Sequence, residues 1–239
     1  MNEEPLRLHL SDHDSQQFGF TCARAWVTEV TRTNEIDDFC REQGVRLVFT
    51  RCPTDRCDVA QALERAGHFL TDTLLYYVRR LVNNPIPEDT GAIPVRPARP
   101  DEADTVKAVA RDSFHGYISH YHTDPRLDQA RCDAVFVDWA YRSVVDKQMA
   151  DIVFVADLEE TIKGFATVRI NSPVEGEGVL FAVHPSVQRR GLYRSFMIHA
   201  MDWLAAQGCR EMIVSTQVNN VAVQKAWTRL GFEINRSCY

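Results

Sequence analysis

The segment 183–194 holds the residue types that could bind an anionic ligand. Gly191 lacks a Cβ atom, so a ligand can approach its backbone closely. Arg189, Arg190 and Arg194 place positive charge around it. A helical pattern begins directly afterwards, and the first N–H groups of a helix bind phosphates because they have no partner within the helix. The sequence therefore predicts a pyrophosphate site at this turn.

A second group of chemically versatile side chains lies in the segment 115–124. Histidine and tyrosine side chains can hydrogen bond to a polar ligand, and histidine can also bind a metal ion. The metal interpretation is the less favoured one, because the segment lacks a His-x-x-x-His spacing on a helix and the sequence has no paired cysteines. We therefore predict ligand contacts and no metal. The residues concerned are His115, Tyr117, His120, Tyr121 and His122.

The seven cysteines are scattered along the chain and form no CxxC pair. Their odd number and irregular spacing favour free thiols in a reducing compartment. Cys209 and Cys238 could be nucleophiles, but no histidine pairs with either of them in the sequence pattern. The cysteines therefore predict neither a metal site nor a disulfide framework.

Hydrophobic periodicity predicts the elements that position the turn at 184–191. A buried strand at 178–183 precedes the turn, and a helix at 194–206 follows it. The other predicted strands are 94–96, 151–156, 164–170, 211–216 and 233–239, with a hairpin turn at 157–160, and the other predicted helices are 100–114, 130–145 and 221–230. This mixture of elements predicts a mixed α/β domain.

The order strand, helix, glycine, strand occurs twice in the sequence. It runs over 45–79 with Gly67 after the helix, and again over 211–239 with Gly231 after the helix. Glycine suits the left-handed residue that ends a helix. Two interpretations stay open: a chance repetition of a common arrangement, or a first part that is an eroded copy of the last part.

A proline-rich segment at 83–100 separates the two parts of the chain. It contains five of the ten prolines, and proline removes backbone donors and disfavours helix before it. Such segments are typical of domain boundaries. The sequence therefore predicts a smaller domain at 1–85 and a larger domain at 86–239.

Two motifs in the larger domain resemble those of the GNAT acetyltransferases. Val183-x-Pro185-x-x-Gln188-x-x-Gly191 resembles their coenzyme A signature, V-x-P-x-x-[QR]-x-x-G-x-[GA], and departs from it at Tyr193, where the family has a small residue. A tyrosine fits this position if its side chain points outward. The stretch 220–232, NVAVQKAWTRLGF, is similar to the family motif N-x-x-A-x-x-x-Y-x-x-x-G-F.

The resemblance implies a GNAT fold with a mostly antiparallel central sheet and acetyl-CoA as the cosubstrate. It implies direct transfer, in which an amine attacks the thioester without an acyl-enzyme intermediate. Backbone groups of the strand at 181–183 would hold the pantetheine and polarise the carbonyl group. The implied coenzyme-binding residues are Phe181, Ala182, Val183, Arg189, Arg190, Gly191, Leu192, Tyr193, Arg194, Asn220 and Trp227.

Trp227 occupies the place where the family has a tyrosine that protonates the departing thiolate. Indole has a donor N–H but is no proton source near neutral pH. We therefore expect the departing thiolate to be protonated by water or to leave unprotonated. Trp227 can contribute in two ways, by packing against the pantetheine and by donating a hydrogen bond to the sulfur.

The stretches 11–20 and 113–144 extend the resemblance to the TDP-fucosamine acetyltransferase family of amino-sugar enzymes. This implies an acceptor amine on a nucleotide-linked amino sugar, enclosed by the segment 115–125 and the first domain. It also places a catalytic carboxylate at Asp72, although a simple turn residue is the other interpretation of that position. An acceptor that is a protein N-terminus or a small amine, and a non-catalytic coenzyme A-binding module, stay open.

Composition limits the partners and the location. The formal net charge of −6 argues against nucleic acids and anionic membranes, which bind basic surfaces. No apolar run approaches the length of a membrane-spanning helix, and the acidic start of the chain differs from a signal peptide. We expect a cytoplasmic enzyme, and its oligomeric state, monomer or homodimer, stays open.

Overall fold

The computed structural model describes residues 4–89, 93–158 and 160–239, and it divides into two compact units. The described parts of the first unit are 4–75, 118–132 and 236–239, and those of the second are 76–89, 93–117, 133–158 and 160–235. Each unit therefore combines segments that are distant in the sequence. The boundary after residue 85 stays a prediction; residue 85 itself lies within the second unit.

The first unit contains a three-stranded sheet with the order β1-β2-β3. Its elements are β1 (Leu6–Leu10), α1 (Asp12–Phe18), β2 (Cys22–Val27), a 3-10 turn at Val30–Arg32, α2 (Thr33–Glu42), β3 (Leu47–Arg51) and α3 (Cys57–Arg65). β1 and β2 are antiparallel, whereas β2 and β3 are parallel. The core of this unit consists of Ala25, Val27, Ile36, Cys52, Val59 and Leu63.

A buried charged network fixes α1 to β2 within the first unit. The hydroxyl of Ser11 accepts a bond from the backbone N–H of Asp14 and caps the helix. The Asp14 carboxylate accepts hydrogen bonds from Arg24 at 2.7 Å and from the Tyr121 hydroxyl at 3.0 Å. Burial alone would raise the pKa of Asp14, but the hydrogen bond and charge of Arg24 outweigh it and hold this pKa below its usual range.

The second unit is built on a seven-stranded sheet with the order β10-β4-β9-β8-β7-β6-β5. Its strands are β4 (Leu74–Arg80), β5 (Val95–Pro97), β6 (Ile152–Leu158), β7 (Thr161–Ile170), β8 (Glu175–Val183), β9 (Glu211–Gln217) and β10 (Glu233–Cys238). Its helices are α4 (Ala103–Ser113), α5 (Gln129–Val145), α6 (Leu192–Ala206) and α7 (Val221–Arg229), with 3-10 turns at Pro100–Glu102 and Pro185–Val187.

Antiparallel pairs predominate in this sheet from β5 to β9. β5 with β6, β6 with β7, and β7 with β8 form antiparallel pairs, and β8 with β9 forms a parallel pair. Apolar residues of α4, α5 and the strands β6 to β8 form one core, which includes Val106, Ala140 and Phe165. The predicted mixed α/β fold with a mostly antiparallel central sheet is confirmed.

The element order of the first unit repeats in the second. β2, a 3-10 turn, α2, β3, α3 and β4 follow one another as β8, a 3-10 turn, α6, β9, α7 and β10 do. In both series the first two strands are parallel. This correspondence favours the interpretation of the first part as an eroded copy. The copies differ in their strand pairing. β2 and β3 stay paired from Cys22 opposite Leu47 to Trp26 opposite Arg51, and β4 joins the seven-stranded sheet instead of the sheet of β2 and β3.

Two sequence predictions fall partly outside the described residues. These are the hairpin turn at 157–160, because of Glu159, and the proline-rich segment, because of residues 90–92. Among the described helices, none combines the length and the apolar character that crossing a bilayer requires.

Candidate active site

A gap opens between the parallel strands β8 and β9 of the second unit. They pair from Glu175 opposite Glu211 to Gly178 opposite Val214. β8 continues to Val183 and β9 to Gln217, but in the described chain no residue of β8 beyond Gly178 pairs with β9. Backbone groups along the gap are therefore available to a ligand, because buried backbone groups need partners.

The pairing of β7 with β8 shows which backbone groups of β8 face the gap, because successive residues of a strand direct their backbone groups to opposite sides. The N–H of His184 donates to the carbonyl of Lys163 at 2.8 Å, so residues 182 and 180 also direct their backbone groups toward β7. The backbone groups of Phe181 and Val183 consequently face the gap. Of the predicted residues 181–183, the first and last are thus placed to bind a ligand, whereas Ala182 bonds within the sheet.

A bulge in β8 adjoins the start of the gap. Thr167 lies opposite Leu180 and Val168 lies opposite Gly178, so Val179 is the extra residue. The buried hydroxyl of Thr167 accepts a hydrogen bond from the N–H of Leu180 at 2.9 Å and donates to its carbonyl at 3.3 Å. Sequence reasoning missed Thr167, because a threonine within an apolar strand gives no sign that its hydroxyl supports a bulge.

The predicted anion-binding turn follows β8 directly. Arg189 and Gly191 adopt left-handed backbone conformations, with φ of 65° and 89°, and α6 begins at Leu192. A Cβ on Gly191 would meet no atom within 4 Å, so the glycine serves the backbone conformation and leaves open space beside the helix start. The first N–H groups of α6, from Leu192 to Arg194, have no acceptor within the helix.

The three predicted arginines surround this turn in different ways. Arg189 and Arg190 are exposed beside it. Arg194 donates from Nη2 to the backbone carbonyl of Glu88 at 3.1 Å, so part of its guanidinium group is engaged by the proline-rich segment. Val183 is tied to the turn by Gln188, whose side-chain amide donates to its carbonyl at 3.3 Å.

The two residues that depart from the family motifs contact each other. The indole Nε1 of Trp227 donates to the hydroxyl oxygen of Tyr193 at 2.8 Å. The Tyr193 ring lies 5.8 Å from the Phe181 ring, centroid to centroid, and Trp227 packs against Tyr77 at 5.3 Å. An outward side chain was the condition under which a tyrosine would fit this position, and the structure has another arrangement. The Tyr193 side chain is half-buried and turns toward Trp227, whose indole N–H donates to it.

Asn220 lies at the N-cap position of α7, directly after β9. Its side-chain amide donates to the hydroxyl of Thr216 at 2.9 Å, and it does not cap its own helix with a side-chain bond. This bond connects the end of β9, on one side of the gap, to the start of the helix that carries Trp227.

A cavity of about 510 Å³ lies within the first unit. β3, α3, the segment 66–72 and part of the segment 120–126 line it, together with Tyr239. Its wall includes the cations Arg46, Arg51 and Arg126, the acids Glu64, Asp72 and Asp124, the histidines His68 and His120, and the aromatic residues Phe49 and Phe69. The structure therefore brings the predicted catalytic Asp72 and the predicted acceptor residue His120 to one cavity.

Asp72 and His120 lie close together in this wall. The Nδ1 atom of His120 is 3.7 Å from Oδ2 of Asp72, and its ring meets Phe49 edge-on at 5.2 Å. Burial, followed by the charges of Arg51 and Arg24, lowers the pKa of His120 to about 3. The imidazole is therefore neutral near pH 7, so its contact with Asp72 is not an ion pair.

The other predicted acceptor residues lie elsewhere. Tyr121 is buried in the network of Asp14 and Arg24, and burial raises the pKa of its hydroxyl. His122 accepts from the backbone N–H of Ser119 through Nδ1 at 3.2 Å. These two side chains therefore support the segment rather than line the cavity.

His115 and Tyr117 belong to the second unit. His115 is exposed, and the ring of Tyr117 packs against Phe114 and Phe136. Among the described residues, no group of three or more histidine, cysteine, aspartate or glutamate side chains could hold a metal ion.

Two curated proteins are similar to parts of this chain. A mycothiol acetyltransferase from Saccharopolyspora erythraea is 30% identical over 83 residues, which are 35% of this chain and 27% of that protein. The spore coat polysaccharide biosynthesis protein SpsD of Bacillus subtilis is 24% identical over 143 residues, which are 60% of this chain and 48% of that protein. The matches thus span about a quarter and about half of the length of these relatives.

A solved structure resembles nearly the whole chain. The GCN5-related N-acetyltransferase from Kribbella flavida has a TM-score of 0.65 at 14% sequence identity, and the match covers 98% of this chain and 84% of that one. At this identity the likeness concerns the fold. The model of the acetyltransferase (GNAT) family matches residues 107–232, which include the gap, the turn and Trp227. Because this match covers more than half of the 239 residues, the chain belongs to the GNAT family of acetyltransferases.

Proposed function

We propose that this chain is an acetyl-CoA-dependent N-acetyltransferase with its coenzyme in the gap between β8 and β9. One observation carries the proposal: the pairing of β8 with β9 ends at Gly178, and the backbone groups of Phe181 and Val183 face the opening. The pyrophosphate lies at the start of α6, where Gly191 leaves open space and the helix N–H groups attract an anion. The pantetheine then runs along β8.

The backbone N–H groups along the gap supply the electrostatic part of the mechanism. The amine attacks the thioester carbonyl, and negative charge develops on the carbonyl oxygen. An N–H aimed at this oxygen stabilises the transition state, and one such donor is worth roughly a hundredfold to a thousandfold in rate. Phe181 and Val183 are our candidates for this role. The reaction needs no covalent intermediate, since the amine takes the acetyl group directly.

The acceptor we propose is the amine of a nucleotide-linked amino sugar, bound in the cavity of the first unit. Arg51 and Arg46 suit phosphate groups, and Phe49 suits a flat base. Two buried polar atoms in the wall, Oγ1 of Thr50 and Nε2 of His120, have no hydrogen-bond partner among the described residues. Unpaired buried groups cost about 1–3 kcal/mol each, so a polar ligand would be stabilised there. The name of the Bacillus relative, a spore coat polysaccharide biosynthesis protein, agrees with a sugar acceptor.

The role of Asp72 depends on this acceptor. The attacking amine must lose a proton, and Asp72 is the carboxylate of the cavity that also contacts a predicted acceptor residue, His120. We propose Asp72 as the group that holds the amine. Asp72→Asn should then lower the affinity for the acceptor while leaving the affinity for acetyl-CoA unchanged.

An acceptor screen tests the proposal. The full chain is incubated with acetyl-CoA and with nucleotide-linked amino sugars, small amines, or peptides with a free N-terminus, and mass spectrometry detects the added acetyl group. We expect acetylation of an amino sugar nucleotide. Acetylation of peptides or small amines alone would overturn the choice of acceptor. Coenzyme binding without any acetylated product would favour a coenzyme A-binding module instead of an enzyme.

A further inference from the structure

The two departures from the family motifs form a single structural feature. The family has a small residue where this chain has Tyr193 and a tyrosine where it has Trp227, and in the structure the hydroxyl of Tyr193 lies 2.8 Å from the indole nitrogen of Trp227. The phenol is thus present, but it comes from the first turn of α6 and not from α7.

The hydrogen bond between these side chains has a defined direction. An indole N–H can only donate, so the Tyr193 oxygen is the acceptor, and its own O–H remains able to donate to a third group. Among the described residues, no acceptor bonds to this O–H. Tyr193 therefore presents a donor that the protein itself does not use.

The position of Tyr193 places this donor beside the proposed thioester site. Its ring lies against the ring of Phe181, whose backbone groups face the gap. The residue also lies one position after Leu192, where the α6 anion site begins. The phenol ring therefore lies against the strand along which we propose that the pantetheine runs.

We propose that the Tyr193 hydroxyl donates a hydrogen bond to the departing thiolate of coenzyme A and that Trp227 positions this hydroxyl. The inference rests on the proposed function. The amine nitrogen forms a bond to the carbonyl carbon, and the carbon–sulfur bond breaks with its electron pair remaining on sulfur. The Tyr193 O–H donates a hydrogen bond to that sulfur and keeps its proton. Coenzyme A leaves as the thiolate and takes up a proton from solvent, and the proton that the amine loses passes to solvent.

The protonation state of Tyr193 agrees with this role. Burial raises the pKa of its hydroxyl, although the hydrogen bond from Trp227 acts in the opposite direction. The phenol therefore keeps its proton near pH 7 and can donate it in a hydrogen bond to the sulfur.

The test measures the pKa of the coenzyme A thiol bound to the full chain, which requires no knowledge of the acceptor. The thiolate absorbs in the ultraviolet, so its titration can be followed with and without protein. A free thiol titrates near ~8.5. We expect the wild-type protein to lower this value, because the Tyr193 O–H hydrogen bonds best to the thiolate. Tyr193→Phe should raise the pKa of the bound thiol by about one unit relative to the wild-type complex. Trp227→Phe should raise it by less than that.

A matched control and a restoring variant separate a chemical role from a structural one. Tyr141→Phe removes the hydroxyl of another half-buried tyrosine of the second unit and should leave the bound thiol unchanged. Tyr193→Gly combined with Trp227→Tyr restores the family pattern and should lower the thiol pKa again, relative to Tyr193→Gly alone.

The outcomes distinguish this inference from the proposed function. If coenzyme A binds to Tyr193→Phe with the same thiol pKa as in the wild type, Tyr193 has no such role. If Tyr193→Phe no longer binds the coenzyme, the thiol pKa is measured in the Trp227→Phe variant instead. A thiol pKa equal to that of the wild-type complex in this variant overturns the inference. If the wild-type protein fails to bind coenzyme A, the proposed function falls and this inference falls with it.

Discussion

The hydroxyl of Thr167 on β7 takes both backbone hydrogen bonds of Leu180 on β8. Leu180 is the second residue after Gly178, the last residue of β8 that pairs with β9. The Thr167 side chain thus holds the bulge of β8 next to the point where β8 separates from β9. We infer that Thr167 helps to keep the gap open in the form that the coenzyme requires.

Thr167→Val should lower both stability and coenzyme affinity. The substitution leaves the buried N–H of Leu180 without its acceptor, which should cost about 1–3 kcal/mol of unfolding free energy. Urea unfolding measures this loss, and calorimetry measures the affinity for acetyl-CoA. Thr167→Ser keeps the hydroxyl and is the matched control. Equal coenzyme affinity in Thr167→Val and wild type would show that the bulge does not shape the site.

Glu102 should make the second unit sensitive to acid. Its buried carboxylate accepts hydrogen bonds from Arg96 at 2.8 and 2.9 Å and from the backbone N–H of Arg99 at 2.7 Å. The hydrogen bonds from Arg96 lower its pKa to about 2. A carboxylate with a lowered pKa stabilises the folded state above its unfolded pKa, near 4.5, and this stabilisation is lost as the pH falls from there toward 2.

Glu102→Gln should therefore destabilise the protein at pH 7 by about 1.5–3 kcal/mol, the value of hydrogen bonds to a charged group. The difference from wild type should shrink as the pH falls below 4.5. Asp101→Asn is the control, because Asp101 is 75% exposed and should change stability by less than about 0.5 kcal/mol. Thermal unfolding across this pH range makes the comparison, and a constant difference between wild type and Glu102→Gln would contradict the pKa assignment.

A fragment of residues 86–239 should not fold as the intact second unit does. β4 precedes the proline-rich segment in the sequence, yet it lies between β9 and β10 in the seven-stranded sheet. Removal of β4 would expose an edge of β9 and leave β10 without its neighbour. Circular dichroism measures the secondary structure of the fragment, and urea unfolding measures its stability. A cooperative unfolding transition with the same midpoint and slope as that of the full chain would contradict this prediction.

Elements with a strong periodic pattern were predictable from the sequence. The helix predicted at 130–145 is observed at Gln129–Val145, and the helix predicted at 221–230 is observed at Val221–Arg229. Gly231 has the expected left-handed conformation, with φ of 80°. The turn between β8 and α6 was predictable because its glycine, arginines and proline act locally.

Elements that depend on distant contacts were not predictable. α1 has the polar sequence DHDSQQF, without apolar periodicity, and its stability comes from the bonds of Asp14 to Arg24 and Tyr121. A strand pattern such as that of β4 does not tell which sheet it joins. The orientation of Tyr193 was not predictable either, because the sequence does not reveal that Trp227 offers its hydroxyl a donor.

Calorimetric titration of acetyl-CoA into wild type, Gly191→Asp and Gly208→Asp tests the coenzyme site most directly. Both glycines have φ near 90°, and a Cβ on either would meet no atom within 4 Å, so the two substitutions impose similar backbone strain. Only the first places a carboxylate at the start of α6. We predict that Gly208→Asp binds acetyl-CoA as the wild type does, whereas Gly191→Asp loses at least about tenfold in affinity, which corresponds to about 1.4 kcal/mol. Equal binding by folded Gly191→Asp and wild type would contradict the placement of the coenzyme at this turn.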